Sequence, residues 1–339
     1  MNIIHQLFDE DYVVNFFRKK VLPLYSPFKD VKKVVIRAHK NHIWENTYHV
    51  VIEFKVFFIT NEGGTKTLPI FCSAHSDEPR ENVYKAMKCL WENNFSTGTL
   101  TAPHPLFYSA KFKAIFYRGV QGHNLYHYIR NVEKEEIEKI VAKTAKWFCK
   151  LHNVRTAKKM NFNEQNSLIR KVVPGQEHVF KSIGWRYPEY KNFYKKAYSI
   201  FIKKEEKFLR SSSNKWLIHG DAHPENIIKI NKHKIAVIDY TDMCLSDFAR
   251  DLGGFMQQVE FMINRKIEDR SYGIKIKVFF LEEYLKNAKL KLDEDLKERI
   301  DNYYNWTMIR TATFFLIKHN PEPDRGRALL EQLKKNLNL

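Results

Sequence analysis

The sequence predicts an α+β fold in two lobes, a small antiparallel-sheet lobe followed by a larger, mainly helical one. Three observations predict it. Segments rich in β-branched and aromatic residues, joined by a glycine turn, crowd into the first third of the chain. A long helical pattern spans Glu133–His152, and residues 253–339 read as helical throughout. A length of 339 residues is enough for more than one core, which makes two lobes the default.

Residues 1–30 open with an amphipathic helix, in which Val13, Phe16, Phe17 and Val21 fall near helical spacing. Val34-Val35-Ile36-Arg37 starts the first strand, and Tyr48–Ile59 forms the second. Asn61-Glu62-Gly63-Gly64 makes the hairpin turn between the second and third strands, because glycine takes positive φ at little cost. Leu68–His75 is the third strand. A helix follows, with Ser76 or Asp77 as its cap, Pro79 in its first turn, and Val83, Met87, Leu90 and Trp91 on one face. Phe107-Tyr108 and Ala114-Ile115-Phe116-Tyr117 pair as strands and run into Arg118-Gly119-Val120-Gln121-Gly122. The lobe boundary is placed there, giving residues 1–117 and 118–339. In the second lobe Ile137, Val141, Ala145, Phe148 and Leu151 form one apolar helix face. Residues 155–195 are basic and aromatic without a period, and Trp216-Leu217-Ile218 and Ile235-Ala236-Val237-Ile238 are short apolar strands.

Composition narrows the class. A hydrophobic share of 44% excludes wholesale disorder, and no apolar run reaches membrane-spanning length. Cys72, Cys89, Cys149 and Cys244 form no metal-binding spacing and sit in apolar contexts, so free buried thiols in a reducing cytoplasm are expected. The net charge of +18 would attract acidic or phosphate-bearing ligands. It comes, however, from lysines spread along the chain and mixed with glutamate, as in Lys203-Lys204-Glu205-Glu206-Lys207, which reads as a solvated helix face. No RNP, zinc-finger or helix-turn-helix signature accompanies the charge, so a specific nucleic-acid role is not expected.

Each short strand of the second half delivers polar residues. The first leads into His219-Gly220-Asp221-Ala222-His223-Pro224-Glu225-Asn226, and the second into Asp239. Phosphoryl transfer from a nucleotide needs one carboxylate to orient the acceptor hydroxyl, and an amide and a second carboxylate to hold magnesium. The order H-x-D-x-x-x-x-N followed by Ile-Asp is that of the protein-kinase catalytic and metal loops. An Asx turn would account for any one of these residues alone. Three at these spacings, each behind a short apolar strand, point to a site. The H-x-D-x-H cluster of His219, Asp221 and His223 also invites a metallophosphoesterase reading, but the Asp-x-His and later Gly-Asn-His of that fold are missing from this sequence.

With His-Gly-Asp in place of His-Arg-Asp, Ile238-Asp239-Tyr240 in place of Asp-Phe-Gly, and Leu151-His152 and Asp251-Leu252-Gly253 beside them, the chain resembles the aminoglycoside phosphotransferase family, the choline-kinase-like branch of the kinase superfamily. The likeness is strongest over residues 145–255, and the tail from Tyr304-Asn305-Trp306 to Pro323 resembles bacterial members of that branch. The resemblance implies a bilobal protein-kinase-like fold and transfer of the γ-phosphate of ATP, with Mg2+, to a hydroxyl of a small molecule. It implies Asp221 as base, Asn226 and Asp239 as magnesium ligands, His223 near the γ-phosphate, and Asp251 as a buttress of the loop. His219 and His152 would brace the same loop, and Asp242 would either help hold metal or cap a turn.

In the nucleotide lobe the resemblance implies contacts from Asn46 and Thr47 on the phosphate-covering loop, from Lys55 and Glu81, and from Phe116 and Arg118 at the hinge. Two departures stand out. The third strand carries no Lys at Ser73, where the kinase phosphate-pairing lysine is expected. The loop His39–Tyr48 has no glycines to let backbone amides approach phosphate closely. They motivate a second reading, a catalytically weak or silent kinase fold that binds a nucleotide or partner. The basic C-terminal half argues for a neutral or anionic hydroxylated acceptor over a cationic drug.

Overall fold

The computed structural model describes residues 2–78, 80–155, 160–212 and 214–339. In chain order its first elements are α1 (Glu10–Lys20), β1 (Phe28–Ile43), β2 (Tyr48–Thr60), β3 (Thr65–His75), α2 (Glu81–Leu90), β4 (Leu100–Thr101), β5 (His104–Ser109) and β6 (Ala114–Arg118). Then come β7 (His123–Asn124), α3 (Leu125–Arg130), α4 (Lys134–His152), α5 (Gln176–Arg186), α6 (Lys191–Ser211), β8 (Trp216–Ile218), β9 (Ile227–Lys229), β10 (Ile235–Val237) and β11 (Cys244–Ser246). Four helices finish the chain: α7 (Ala249–Asn264), α8 (Arg270–Ala288), α9 (Glu294–Ile317) and α10 (Pro323–Leu337). This is the α+β composition that the sequence predicts. The compact units are Met1–Gly122 with Ile230–Thr241, and His123–Lys229 with Asp242–Leu339. The division thus falls after Gly122 rather than at Arg118. Ile230–Thr241 joins the first unit because β10 pairs in parallel with β4, a long-range pairing that leaves no local trace.

The first unit is built on an antiparallel sheet in the order β1-β2-β3-β6-β5. Strict alternation along β2 sends Val50, Ile52, Phe54, Val56 and Phe58 to one face, all fully buried. α1 covers that face with Val13 and Phe17, and its Asp9 cap accepts from the Tyr12 amide at 3.0 Å. Phe17, Phe54 and Phe116 interlock there at centroid distances of 5.1–6.3 Å. The other face carries His49, Val51, Glu53 and Lys55 from β2 and Phe71 and Ser73 from β3, none of them fully buried.

Ser76 does not cap the helix predicted after β3. Its hydroxyl accepts the Tyr48 amide, and α2 begins later, at Glu81, with no side-chain cap. Pro79, expected in the first turn, lies outside the described residues.

In the second unit α7 packs on α8 and α9, α4 on α8, and α10 on α9. Ile137, Val141, Ala145, Phe148 and Leu151 of α4 are all buried, as the period predicts. Gly253 lets α7 approach α9 closely, since a Cβ there would stand 2.5 Å from the Ile300 carbonyl oxygen. Helix α5, in a stretch without periodicity, was not legible: only Val179 and Ile183 of its eleven residues are buried. All four cysteines are free and buried. Among the described residues no helix is long and apolar enough to cross a membrane.

Candidate active site

Strand β8 pairs with β11 and ends at the loop that carries Asp221. The loop hangs on one buried carboxylate. Asp251, on the first turn of α7, accepts the backbone amides of His219 at 2.7 Å and Gly220 at 2.9 Å, and meets His152 Nε2 at 3.1 Å. The other ring nitrogen of His152 bonds the Tyr284 hydroxyl at 2.8 Å. Burial works to raise the Asp251 pKa, but the His152 hydrogen bond and charge, with His219 and the Gly220 amide, outweigh it and hold the carboxyl below its usual range. Asp251 and His152 therefore serve the loop from behind.

Gly220 explains why the motif reads His-Gly-Asp. Its φ is +82°, and a Cβ would lie 2.3 Å from the Asp242 carbonyl oxygen. Asp242 itself is bound by the Asn166 amide, which makes it part of the loop's backing. His219 is fully buried, its Nδ1 3.4 Å from the Asp221 amide, with Trp147 and Phe148 edge-on to its ring.

Asp221 stands half exposed at the end of this support, with His223 Nε2 3.5 Å from its Oδ2. His223 Nδ1 accepts the Glu225 amide at 3.3 Å, so a neutral ring carries its proton on Nε2, facing Asp221. The crowding of protein around Asp221 works to raise its pKa. His223, His219 and Arg310 outweigh this and hold it well below the usual carboxylate range. Asn226 is buried, and its Nδ2 donates to the Asp221 carbonyl at 3.2 Å, which leaves Oδ1 as its outward donor atom. Asp221, His223 and Asn226 thus share one loop of the second unit.

Asp239 belongs to the first unit. It sits at φ +65°, an uncommon region for a residue with a side chain. Tyr240 beside it is buried, with its hydroxyl on the Val237 carbonyl at 2.6 Å. The Thr241 hydroxyl donates to Asp239 Oδ1 at 2.8 Å. The aromatic residue anchors the turn and the acid is presented outward. An amide oxygen and a carboxylate are hard donors of the kind magnesium takes, together with water and phosphate oxygens. No cluster of three or more His, Cys, Asp or Glu side chains that could hold a metal occurs among the described residues.

The nucleotide-lobe expectations fare unevenly. Phe116 is fully buried and stacked on Phe107 at 4.6 Å, so its side chain belongs to the core and only its backbone is left for a hinge contact. Alternation puts Tyr117 on the outer face instead, where it stacks on Phe71 and senses the charge of Asp239. His39 stacks on the same Phe71 at 5.6 Å. This aromatic row escaped the sequence reading; the signal for it was strand parity.

Glu81 pairs with Lys85 at 2.8 Å, both about half exposed, which makes it a surface pair rather than a partner of Lys55. Lys55 is exposed on the outer face, over the Phe57 ring. Asn46 is exposed and Thr47 half-buried in a turn closed by the Trp44 amide and the Thr47 carbonyl at 2.9 Å. Arg118 is exposed at the end of β6. Lys66, at the hairpin end of β3, is the only lysine on that strand, and Ser73 faces outward with no lysine beside it on its own strand.

A cavity of about 500 Å³ opens on Asp221 within the second unit. Its walls include His223, Arg250, Trp306, Arg310 and Phe314. Trp306 lies between two guanidinium groups, Arg250 at 5.0 Å and Arg310 at 4.9 Å from its ring centre. Of Trp306 and the two arginines, the sequence had marked only Trp306, as part of the tail.

The sequence model of the phosphotransferase enzyme family matches residues 50–275, well over half the chain. The chain belongs to that family. Solved structures agree on the fold. Spectinomycin phosphotransferase, in complex with ADP and spectinomycin, superposes with a TM-score of 0.53 at 12% identity, over 96% of this chain and 94% of that one. An ethanolamine kinase of Plasmodium vivax gives 0.56 at 16% identity, over 88% and 81%. An aminoglycoside phosphotransferase in complex with GDP and kanamycin gives 0.53 at 10% identity, over 96% and 98%. The fold is therefore the kinase-like α+β fold of this phosphotransferase family. No curated protein matches the sequence.

Proposed function

We propose that the protein transfers the γ-phosphoryl group of ATP to a hydroxyl of a small molecule held in the cavity beside Asp221. The observation that carries this reading is Asp221 itself, a carboxylate kept ionised on the wall of a ligand-sized cavity by a loop clamped to Asp251. Family membership and the nucleotide complexes among the structural neighbours support a nucleotide donor. Asn226 and Asp239 would hold magnesium, which when bound neutralises phosphate charge.

The acceptor oxygen forms a bond to the γ-phosphorus, the bond to the bridging oxygen breaks, and ADP leaves. The hydroxyl proton passes to Asp221. A carboxylate this acidic is a weak base, so its main work is to orient the hydroxyl, with proton transfer coming late. His223 holds the carboxylate in place through Nε2–H. The protein would act in the cytoplasm, without a specific nucleic-acid partner.

Asp221→Asn tests this reading. Phosphoryl transfer, followed as ADP release, should fall at least a thousandfold, while ATP affinity by calorimetry stays within about threefold. Equal loss of both would make Asp221 structural. A second reading, a binding protein without turnover, is favoured by Ser73 and by the glycine-free loop His39–Tyr48. ATP binding that is independent of magnesium, with no ADP release toward any acceptor, would support it.

A further inference from the structure

The cavity beside Asp221 has more donors and cations than its own acceptors can use. Arg310 forms no ion pair with a carboxylate among the described residues; its hydrogen bond runs to the Val173 carbonyl at 3.3 Å. Asp221 and Asp242 reach it only through longer-range charge, while burial and the neighbouring Arg250 both work against its own charge. Arg265, on the same cavity wall, packs between Phe261 and Phe315 at 5.5 and 5.6 Å, and it too lacks a carboxylate ion pair among the described residues. The Trp306 indole N–H is buried without an acceptor, as is Nε of Arg250. Three acids line the wall, and none forms an ion pair with these arginines among the described residues; Glu225 lies 4.0 Å from His223. Asp251 is consumed by two backbone amides and His152, and Asp221 lies against His223.

A buried donor without an acceptor, as at Trp306 Nε1 and Arg250 Nε, costs about 1–3 kcal/mol. A ligand that brings an anion relieves both. Guanidinium groups recognise carboxylate and phosphate through paired N–H donors, and the exposed ring of Phe314 offers apolar surface alongside.

We propose that the acceptor is itself an anion, a hydroxylated molecule carrying a carboxylate or phosphate ester that Arg310 binds while its hydroxyl meets Asp221. This rests on the reading of Asp221 as the group that meets the acceptor hydroxyl. Carboxylate and phosphate share the recognition chemistry, and the probes separate them.

The test uses the full chain and two matched probe series. One is glucose, glucuronate, glucose 6-phosphate and glucosamine. The other is benzyl alcohol, 4-hydroxymethylbenzoate, benzyl alcohol phosphorylated on its ring, and 4-aminomethylbenzyl alcohol. Binding is measured by calorimetry, and ADP release is measured separately with magnesium and ATP. Anionic members should bind at least tenfold tighter than their neutral and cationic counterparts. Arg310→Gln should erase that preference, and Arg310→Lys should keep part of it. If Arg310→Gln loses the wild-type melting transition, Arg310→Lys and Arg265→Gln carry the comparison, each expected to weaken anionic probes by threefold or more and neutral ones not at all. Preference for one anion class over the other identifies the natural group.

Failure to bind any anionic probe more tightly than its neutral partner overturns the proposal. So does an anion preference that survives Arg310→Gln, since it would belong to the overall charge of the chain. The two layers separate cleanly. ADP release stimulated only by cationic or neutral probes keeps the phosphotransferase reading and defeats the anionic acceptor. Arg310-dependent anion binding without ADP release keeps an anion site at Arg310 but defeats the phosphotransferase reading, and with it the acceptor role of the anion.

Discussion

Replacing Asp251 with alanine should unfasten the loop that carries Asp221. In the native protein the carboxylate takes three hydrogen bonds, from His219 N at 2.7 Å, Gly220 N at 2.9 Å and His152 Nε2 at 3.1 Å. Bonds to an ionised group are worth about 1.5–3 kcal/mol each, so the three together bound the loss at roughly 5–9 kcal/mol. Local relaxation and entry of water reduce this, and breaking one side of a buried ionic pair in practice costs about 3–5 kcal/mol. That is a large part of a typical stability of about 5–15 kcal/mol. The assay is urea unfolding at pH 7 by circular dichroism, with amide hydrogen exchange at His219 and Gly220 as the local readout. The variant should unfold at a clearly lower urea concentration, and both amides should lose protection. The effect has a defined pH sign. The folded pKa of Asp251 is depressed, so its contribution is present above the ordinary carboxylate pKa and is lost as pH falls through the folded value. The gap between wild type and variant should therefore close in acid. A loss under about 1 kcal/mol with exchange protection intact would refute the clamp.

Other consequences are open to direct measurement. Phe116→Ala should destabilise the protein by about 3–5 kcal/mol with ATP affinity of the folded fraction unchanged, whereas Phe71→Ala should spare stability and weaken ATP binding tenfold or more; the reverse pattern would place the nucleotide on the wrong face. Ser73→Lys, on the outward face of β3, should tighten ATP binding about tenfold, the size of one charge-assisted contact, and an unchanged calorimetric Kd would show that Ser73 is not the phosphate-facing position. Burial pushes Glu205 up to about 7 and Asp247 up to about 6, so the folded state holds protons that the unfolded state has released. Stability should consequently fall as pH rises from about 4.5 to 7, and Glu205→Gln should flatten that slope in a series of Tm measurements.

What the sequence made legible was what local chemistry encodes. The β-branched and aromatic run Tyr48–Ile59, the Gly63-Gly64 turn and the apolar face of Glu133–His152 each dictate their own structure, and each formed as expected. The loop from His219 to Asn226 was legible because its residues must stand at fixed spacings on one turn. Three kinds of information were not local. Parity at the end of β6 decides whether Phe116 or Tyr117 faces outward, and a one-residue slip reverses the answer. The β4–β10 pairing carries Ile230–Thr241 into the first unit across more than a hundred residues of chain. Much of the cavity lining comes from α7 and α9, where Arg250, Trp306 and Arg310 converge only through helix packing.

The strained and buried groups bear on whether this chain turns over substrate. Asp239 holds a left-handed backbone conformation that costs on the order of 1 kcal/mol or more, and a glycine or asparagine there would relieve it. Asp251 stays ionised in the interior, where it must be hydrogen-bonded on every side to be tolerated. Gly220 carries glycine's larger backbone-entropy cost so that the Asp242 carbonyl can approach. The backbone of Asp239 and the glycine at position 220 lower stability relative to an ordinary turn, and each acts on the presentation of a carboxylate, Asp239 or Asp221. A fold that merely bound a nucleotide would gain from relaxing them. Asp251 and Gly220 present Asp221 to a cavity whose arginines lack carboxylate ion pairs among the described residues, the arrangement that the proposed transferase needs if its acceptor carries the missing charge.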